Sequence, residues 1–176
     1  MANTSKTTTM TVVALMIALE IILNRFVGIT TDTIHVGIDF LPIAAAGMLY
    51  GPLWAGMAYA IGDLLGAAIF PYGAVNPMIT VTLALAGVTY GLVFYRHDLS
   101  GSRIIWRTVI ASLIIAIPIK LFLTSLAFSI FYGTPYTAVL VTRIPTCAIL
   151  LAAQMIIIPM IYKLVVCKLP IYKTAQ

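Results

Sequence analysis

The chain has 176 residues, 62% of them hydrophobic and only 9% charged, with a formal net charge of +5. A water-soluble domain carries about a quarter charged residues, so too few polar side chains remain here to cover a water-facing surface. The long apolar runs are those of membrane-spanning helices, not the short alternating segments of a barrel, and the scattered basic residues form no stripe that would mark a nucleic-acid surface.

The first predicted span covers residues 9–24. Only Lys6 precedes it with a charge, and no small-residue cleavage site closes it, so it is expected to be a retained helix and not a secretory signal. Within it, Ala14 and Ala18 stand four residues apart, a spacing that makes a flat strip where another helix can approach closely. Packing inside the bundle is the plainer use of such a strip. The second span, 36–50, is short and contains Asp39 and Pro42. Gly51-Pro52 breaks it from a third span at 53–70, and Pro71-Tyr72-Gly73 with Asn76-Pro77 frames a tight loop before a fourth at 77–95. The fifth span covers 104–131 and the sixth 136–166, separated by Gly133-Thr134-Pro135. These spans predict an all-α integral membrane protein forming one transmembrane domain over residues 1–176. If Cys147 and Cys167 share the last helix, they lie about 30 Å apart at 1.5 Å per residue, too far to pair within the chain.

Positive charge sets orientation. With six spans and the N-terminus inside, Lys6, Arg96, Arg103, Arg107, Lys163, Lys168 and Lys173 are cytoplasmic, and only Arg25 falls outside. A five-span arrangement that omits the second span scores almost as well, so charge alone leaves both open.

Charged side chains inside a membrane are costly and face a cavity or one another. On the six-span arrangement Arg25 ends the first helix at the outer face. Asp63 and Arg143 each lie roughly 10 Å below the outer face, and Lys120 a little deeper. Asn76 and Tyr72 belong to the outer loop, and Glu20 is close by on the first helix. Apart from Gln154 the inner half carries almost nothing polar. The asymmetry describes a pocket open to the outside and closed below, where a channel would need polar lining throughout. Three cations and a carboxylate suit an organic anion that also presents a donor edge to Asp63. The competing reading is internal ion pairing, for example Asp63 with Arg143, which leaves the other cations without partners. Pro118 and Pro145 stand two residues from Lys120 and Arg143 and permit kinks there.

Catalytic signatures are missing from the sequence. It has no Gly-x-x-x-x-Gly-Lys phosphate loop, no Gly-x-Ser-x-Gly serine, and His35 and His97 stand alone without metal-ligand spacing. The chain is therefore expected not to be an enzyme and to need neither metal nor cofactor, and any transport energy has to come from partner chains.

These residues together resemble the S-components of energy-coupling factor (ECF) vitamin transporters, most closely the folate-specific type. The resemblance runs the full length. It rests on Ala14-x-x-x-Ala18, Asn24-Arg25-Phe26-Val-Gly-Ile, Phe40-Leu-Pro-Ile-Ala-Ala-Ala-Gly-Met-Leu-Tyr-Gly-Pro52, Gly62-Asp63-Leu-Leu-Gly66, Phe70-Pro71-Tyr-Gly-Ala74 and Asn76-Pro77. It implies the six-helix S-component fold in the cell membrane, with both termini cytoplasmic. It also implies a vitamin held near the outer face, and as partners a transmembrane coupling protein and two ATP-hydrolysing subunits. Toppling in the membrane is the implied route of delivery, with Ala14 and Ala18 as the docking strip for the coupling protein. Folate fits the residues chemically: adjacent pterin N–H groups suit Asp63, two tail carboxylates suit Arg25, Lys120 or Arg143, and the ring system can stack on Phe26, Tyr72 or Tyr90. The substrate-binding set expected on these grounds is Arg25, Phe26, Asp63, Tyr72, Asn76, Lys120 and Arg143. An S-component for thiamin, riboflavin or pantothenate, or a membrane scaffold that transports nothing, is the alternative.

Overall fold

The computed structural model describes residues 6–30, 35–70, 76–95 and 102–164. Helix α1 (Lys6–Ile22) continues into π-helical turns over Leu23–Val27. A two-residue hairpin, β1 (Ile29–Thr30) with β2 (His35–Val36), pairs antiparallel with Ile29 opposite Val36. Then follow α2 (Phe40–Tyr50), α3 (Pro52–Ile69) and α4 (Pro77–Phe94). Helix α5 (Arg103–Tyr132) is α-helical to Ile114, π-helical over Ile115–Leu123 and α-helical again from Thr124. Helix α6 is Tyr136–Leu164. Among the described residues, five of the six helices are long and apolar enough to cross a membrane.

The exception is α2, and it modifies the expected second span. Residues before Phe40 are hairpin and turn, so the helix has 11 residues and rises only about 16 Å, against roughly 30 Å of hydrocarbon. Nine of its residues, Phe40 and Pro42 through Leu49, are buried. A helix apolar on every side belongs inside a bundle, and α2 sits there, packed by α1, α3 and α4.

Close helix approach holds this centre together, since lipid supplies no hydrophobic drive between helices. Glycines on α4 meet the α2–α3 turn backbone to backbone. A Cβ on Gly87 would lie 2.5 Å from the Ala55 carbonyl oxygen, and one on Gly91 would run into the Pro52 backbone. On α2, a Cβ at Gly47 would lie 3.0 Å from the Gly91 nitrogen. Gly51 turns the chain with φ +93°, a conformation that L side chains rarely adopt, and its α face meets the Tyr95 ring. This end of the bundle therefore carries Gly51 and Tyr95, and the opposite end carries Asn76 and Gly133. At Asn76 the side-chain oxygen accepts from Met78 N (3.0 Å) and the side-chain nitrogen donates to the Ala127 carbonyl (3.3 Å). With Pro77 in the first turn, Asn76 thus caps α4 and ties it to the far end of α5.

Candidate functional site

The polar residues inside the bundle form two flanks. The first is acidic and comes from α1, α3 and the turn before α2. Glu20 is fully buried, and its Oε1 accepts from Asn24 Nδ2 at 3.1 Å, one helical turn on. Its Oε2 lacks a hydrogen-bond partner and lies over Gly62, where a Cβ would collide with it. One turn further along α3, Arg25 lies across Gly66, with Nε 3.3 Å from where a Cβ would stand. Gly62 and Gly66 thus make a groove that seats two charged side chains of α1. Asp63, between them, accepts a 2.6 Å hydrogen bond from Thr80 Oγ1 on α4. Asp39 is buried beside the same helix, accepting from Tyr59 hydroxyl at 2.6 Å. Glu20 lies within electrostatic range of Asp39, Asp63 and Arg25.

The second flank is basic and comes from α5 and α6. Lys120 belongs to the π-helical part of α5, beyond Pro118. Arg143 places its guanidinium 4.3 Å from the centre of the Phe128 ring, a cation–π contact, with Nε buried and unpartnered. Both cations act electrostatically on Cys147. Asp63 and Arg143 therefore do not pair with each other: the carboxylate is held by Thr80 and the guanidinium by Phe128.

Between the flanks runs a narrow cleft lined by Gly37, Asp39, Phe40, Tyr59, Tyr90 and Lys120, and by Gln154 on α6. Its walls leave room for about one water molecule. Of the residues expected to bind substrate, Lys120 lines this cleft, and Arg25, Phe26, Asp63, Asn76 and Arg143 stand outside its lining. Phe26 is 68% exposed and meets Phe70 edge-on with centroids 5.4 Å apart. The amide of Asn76 is committed to the cap and to Ala127. Tyr72 lies outside the described residues.

The cleft brings polar side chains towards the Gly51 end of the bundle, where almost none apart from Gln154 was expected. Asp39 lies roughly 18 Å from the turn at Gly51. Tyr59 and Tyr90 lie nearer still to that turn. The Asp39–Tyr59 pair and the Tyr90–Gln154 wall are not legible as a cluster in the sequence. Their one sequence signal was a carboxylate in a span already too short to cross.

Ala14 and Ala18 point the other way. Both are exposed on α1 together with Leu15 and Leu19, while Val13 and Glu20 on the opposite side are buried. The strip is thus free of the bundle's own helices, which removes internal packing as its use. Among the described residues, no three His, Cys, Asp or Glu side chains are grouped to hold a metal ion.

A bundle of membrane-length helices around a buried half-helix, with acidic and basic flanks inside, defines a multi-pass membrane protein with a partly polar interior. Residues 8–162 match the family described as ECF transporter, substrate-specific component, and the chain belongs to that family of transporter components. Folate transporter FolT of Clostridium novyi is 36% identical over 160 residues, covering 91% of each chain. The Streptococcus mutans protein of the same name is 33% identical over 130 residues, covering 71% of this chain and 69% of its own. A crystal structure of FolT bound with folic acid matches with a TM-score of 0.79 and 28% identity, over 89% of this chain and 92% of the other.

Proposed function

We propose that this chain is the folate-capturing S-component of an ECF importer, without catalytic activity of its own. It takes folate at the outer face and delivers it through a transmembrane coupling protein and two ATPase subunits. The observation that carries this is the likeness, over about nine-tenths of the chain, to FolT proteins, one of which was crystallised with folic acid. The flanks supply matching chemistry. Asp63 is the proposed acceptor for the paired N–H groups of the pterin, and Lys120, Arg143 and Arg25 for the tail carboxylates. Phe26, with Tyr72 in the outer loop, would form an aromatic rim, and Asn76 would fix the shape of that loop. The exposed Ala14/Ala18 strip is the proposed seat of the coupling protein. Both termini are proposed to be cytoplasmic, as the family resemblance implies and as the basic residues of the six-span arrangement allow.

The test is mass spectrometry of small molecules released from the purified, denatured chain, with titration of folic acid against the emptied protein. Folate released and rebound supports the proposal. Thiamin, riboflavin or pantothenate in its place would move the chain to another vitamin, and no ligand at all would favour a scaffold.

A further inference from the structure

The cleft between the flanks holds two polar atoms that the proposed site does not use. Tyr90 is fully buried and its hydroxyl has no hydrogen-bond partner. Gln154 is 4% exposed and its carboxamide oxygen has none either. Both line the cleft, from α4 and α6. Buried polar groups are nearly always paired, so two orphans facing one space call for an explanation. They are also held in place. The Tyr90 ring stacks on Phe94 at 6.3 Å, and Leu150, one turn before Gln154, closes the same cleft. Lys120, at the edge of this space, belongs to the basic flank, and Tyr59 stands one helical turn from Asp63 on α3. The cleft therefore continues inward from the place proposed for the ligand.

We infer that the Tyr90 hydroxyl and the Gln154 carboxamide are specificity-determining contacts that read the ring nitrogens on the second polar edge of a pterin, the edge not taken by Asp63. This rests on the folate reading above. Chemically, a phenol can donate to a ring nitrogen or accept from a ring N–H, and a carboxamide can do either by turning over. For the ring to enter, the walls have to part. The wall contributed by α5 includes Ile115 and Lys120 from the π-helical stretch that contains Pro118, where the regular α-helical ladder is interrupted. Such stretches recur at functional sites.

The test compares folic acid with its 8-deaza analogue, in which C–H replaces a ring nitrogen of that edge, by titration against the purified full-length chain. The parent should prefer folic acid on the order of 10-fold. Tyr90→Phe removes one oxygen and Gln154→Met keeps the side-chain length. Each should bring the preference down towards one, chiefly by weakening folic acid. A parent without preference, or variants that keep it, would overturn the inference and leave the two orphans as water sites. So would variants that lose both ligands equally, since the residues would then serve only the fold. A parent that bound no folic acid would instead remove the folate reading on which the inference stands.

Discussion

A half-buried carboxylate and a half-buried guanidinium in the same bundle would be expected to neutralise each other, and here they do not. Thr80 holds Asp63 and the Phe128 ring holds Arg143, leaving a charge of each sign on opposite flanks. If Asp63 accepts the pterin N–H pair, Asp63→Asn swaps one acceptor for a donor and mismatches it. The expected loss is roughly 2–5 kcal/mol by analogy with broken buried charge pairs, or on the order of 30-fold or more in folate affinity. Lys120→Ala or Arg143→Ala should cost less, because the two tail carboxylates would keep the remaining cations as partners. These cation variants should also lose discrimination between folate and tail-free pteroate, which Asp63→Asn should weaken equally. Titration of both ligands against the three variants decides it, and parent-like folate binding by Asp63→Asn would refute the pterin placement. Asp63, Lys120 and Arg143 were legible because a charge inside an apolar run stands out whatever the fold. The meeting of Asp39, Tyr90 and Gln154 is not legible in the sequence, because it depends on how the turn before α2 packs against two later helices, α4 and α6.

At the scale of elements, the helix ends were legible wherever local chemistry writes them. The spans expected at 53–70, 77–95 and 104–131 match Pro52–Ile69, Pro77–Phe94 and Arg103–Tyr132 within a residue, because Gly-Pro and Asn-Pro set breaks that no tertiary contact has to supply. The expected start at Val36 missed Phe40 because hydropathy does not distinguish a half-helix buried in protein from a span. The glycines of α4 carry the same small-residue signal as the alanines of α1, since Gly87-x-x-x-Gly91 has the same spacing. Their contacts differ in what must yield. Gly91→Ala drives a methyl into the Pro52 backbone, which cannot swing aside, whereas Gly62→Ala meets the carboxyl end of Glu20, which can. Gly91→Ala should therefore destabilise the bundle by about 1–3 kcal/mol or more, and Gly62→Ala by less. Thermal unfolding in detergent measures this, and equal Tm values for the two variants would contradict the ranking. Moving Glu20 should also disturb Arg25, its neighbour in the Gly62/Gly66 groove, so Gly62→Ala should weaken ligand binding more than its Tm loss alone would imply.

For the whole molecule, the issue is which work one chain can do. The sequence has no Gly-x-x-x-x-Gly-Lys phosphate loop, and the proposed function leaves ATP hydrolysis to partner subunits, so vesicles containing this chain alone should bind folate but not accumulate it, with or without ATP inside. Concentrative uptake by the lone chain would refute the importer-subunit proposal. With the partner subunits present, transport should depend on the face of α1 that the bundle leaves bare. Ala14 and Ala18 lie on it, and Glu20 lies on the opposite side, against the groove of α3. One helix thus separates the docking strip from the proposed ligand site, and the two faces can be altered independently. Ala14→Trp with Ala18→Trp adds two large rings where a partner helix has to approach closely. Uptake should fall to background, while folate affinity of the isolated chain stays within about 3-fold of the parent, a loss under roughly 0.7 kcal/mol. Ile156→Trp is the control for bulk alone. That residue is 69% exposed on α6, so the variant adds a ring to another outward face and should leave uptake intact. Uptake lost equally in the control would mean that any added bulk blocks transport, and uptake retained with both tryptophans in α1 would remove the strip as the docking surface.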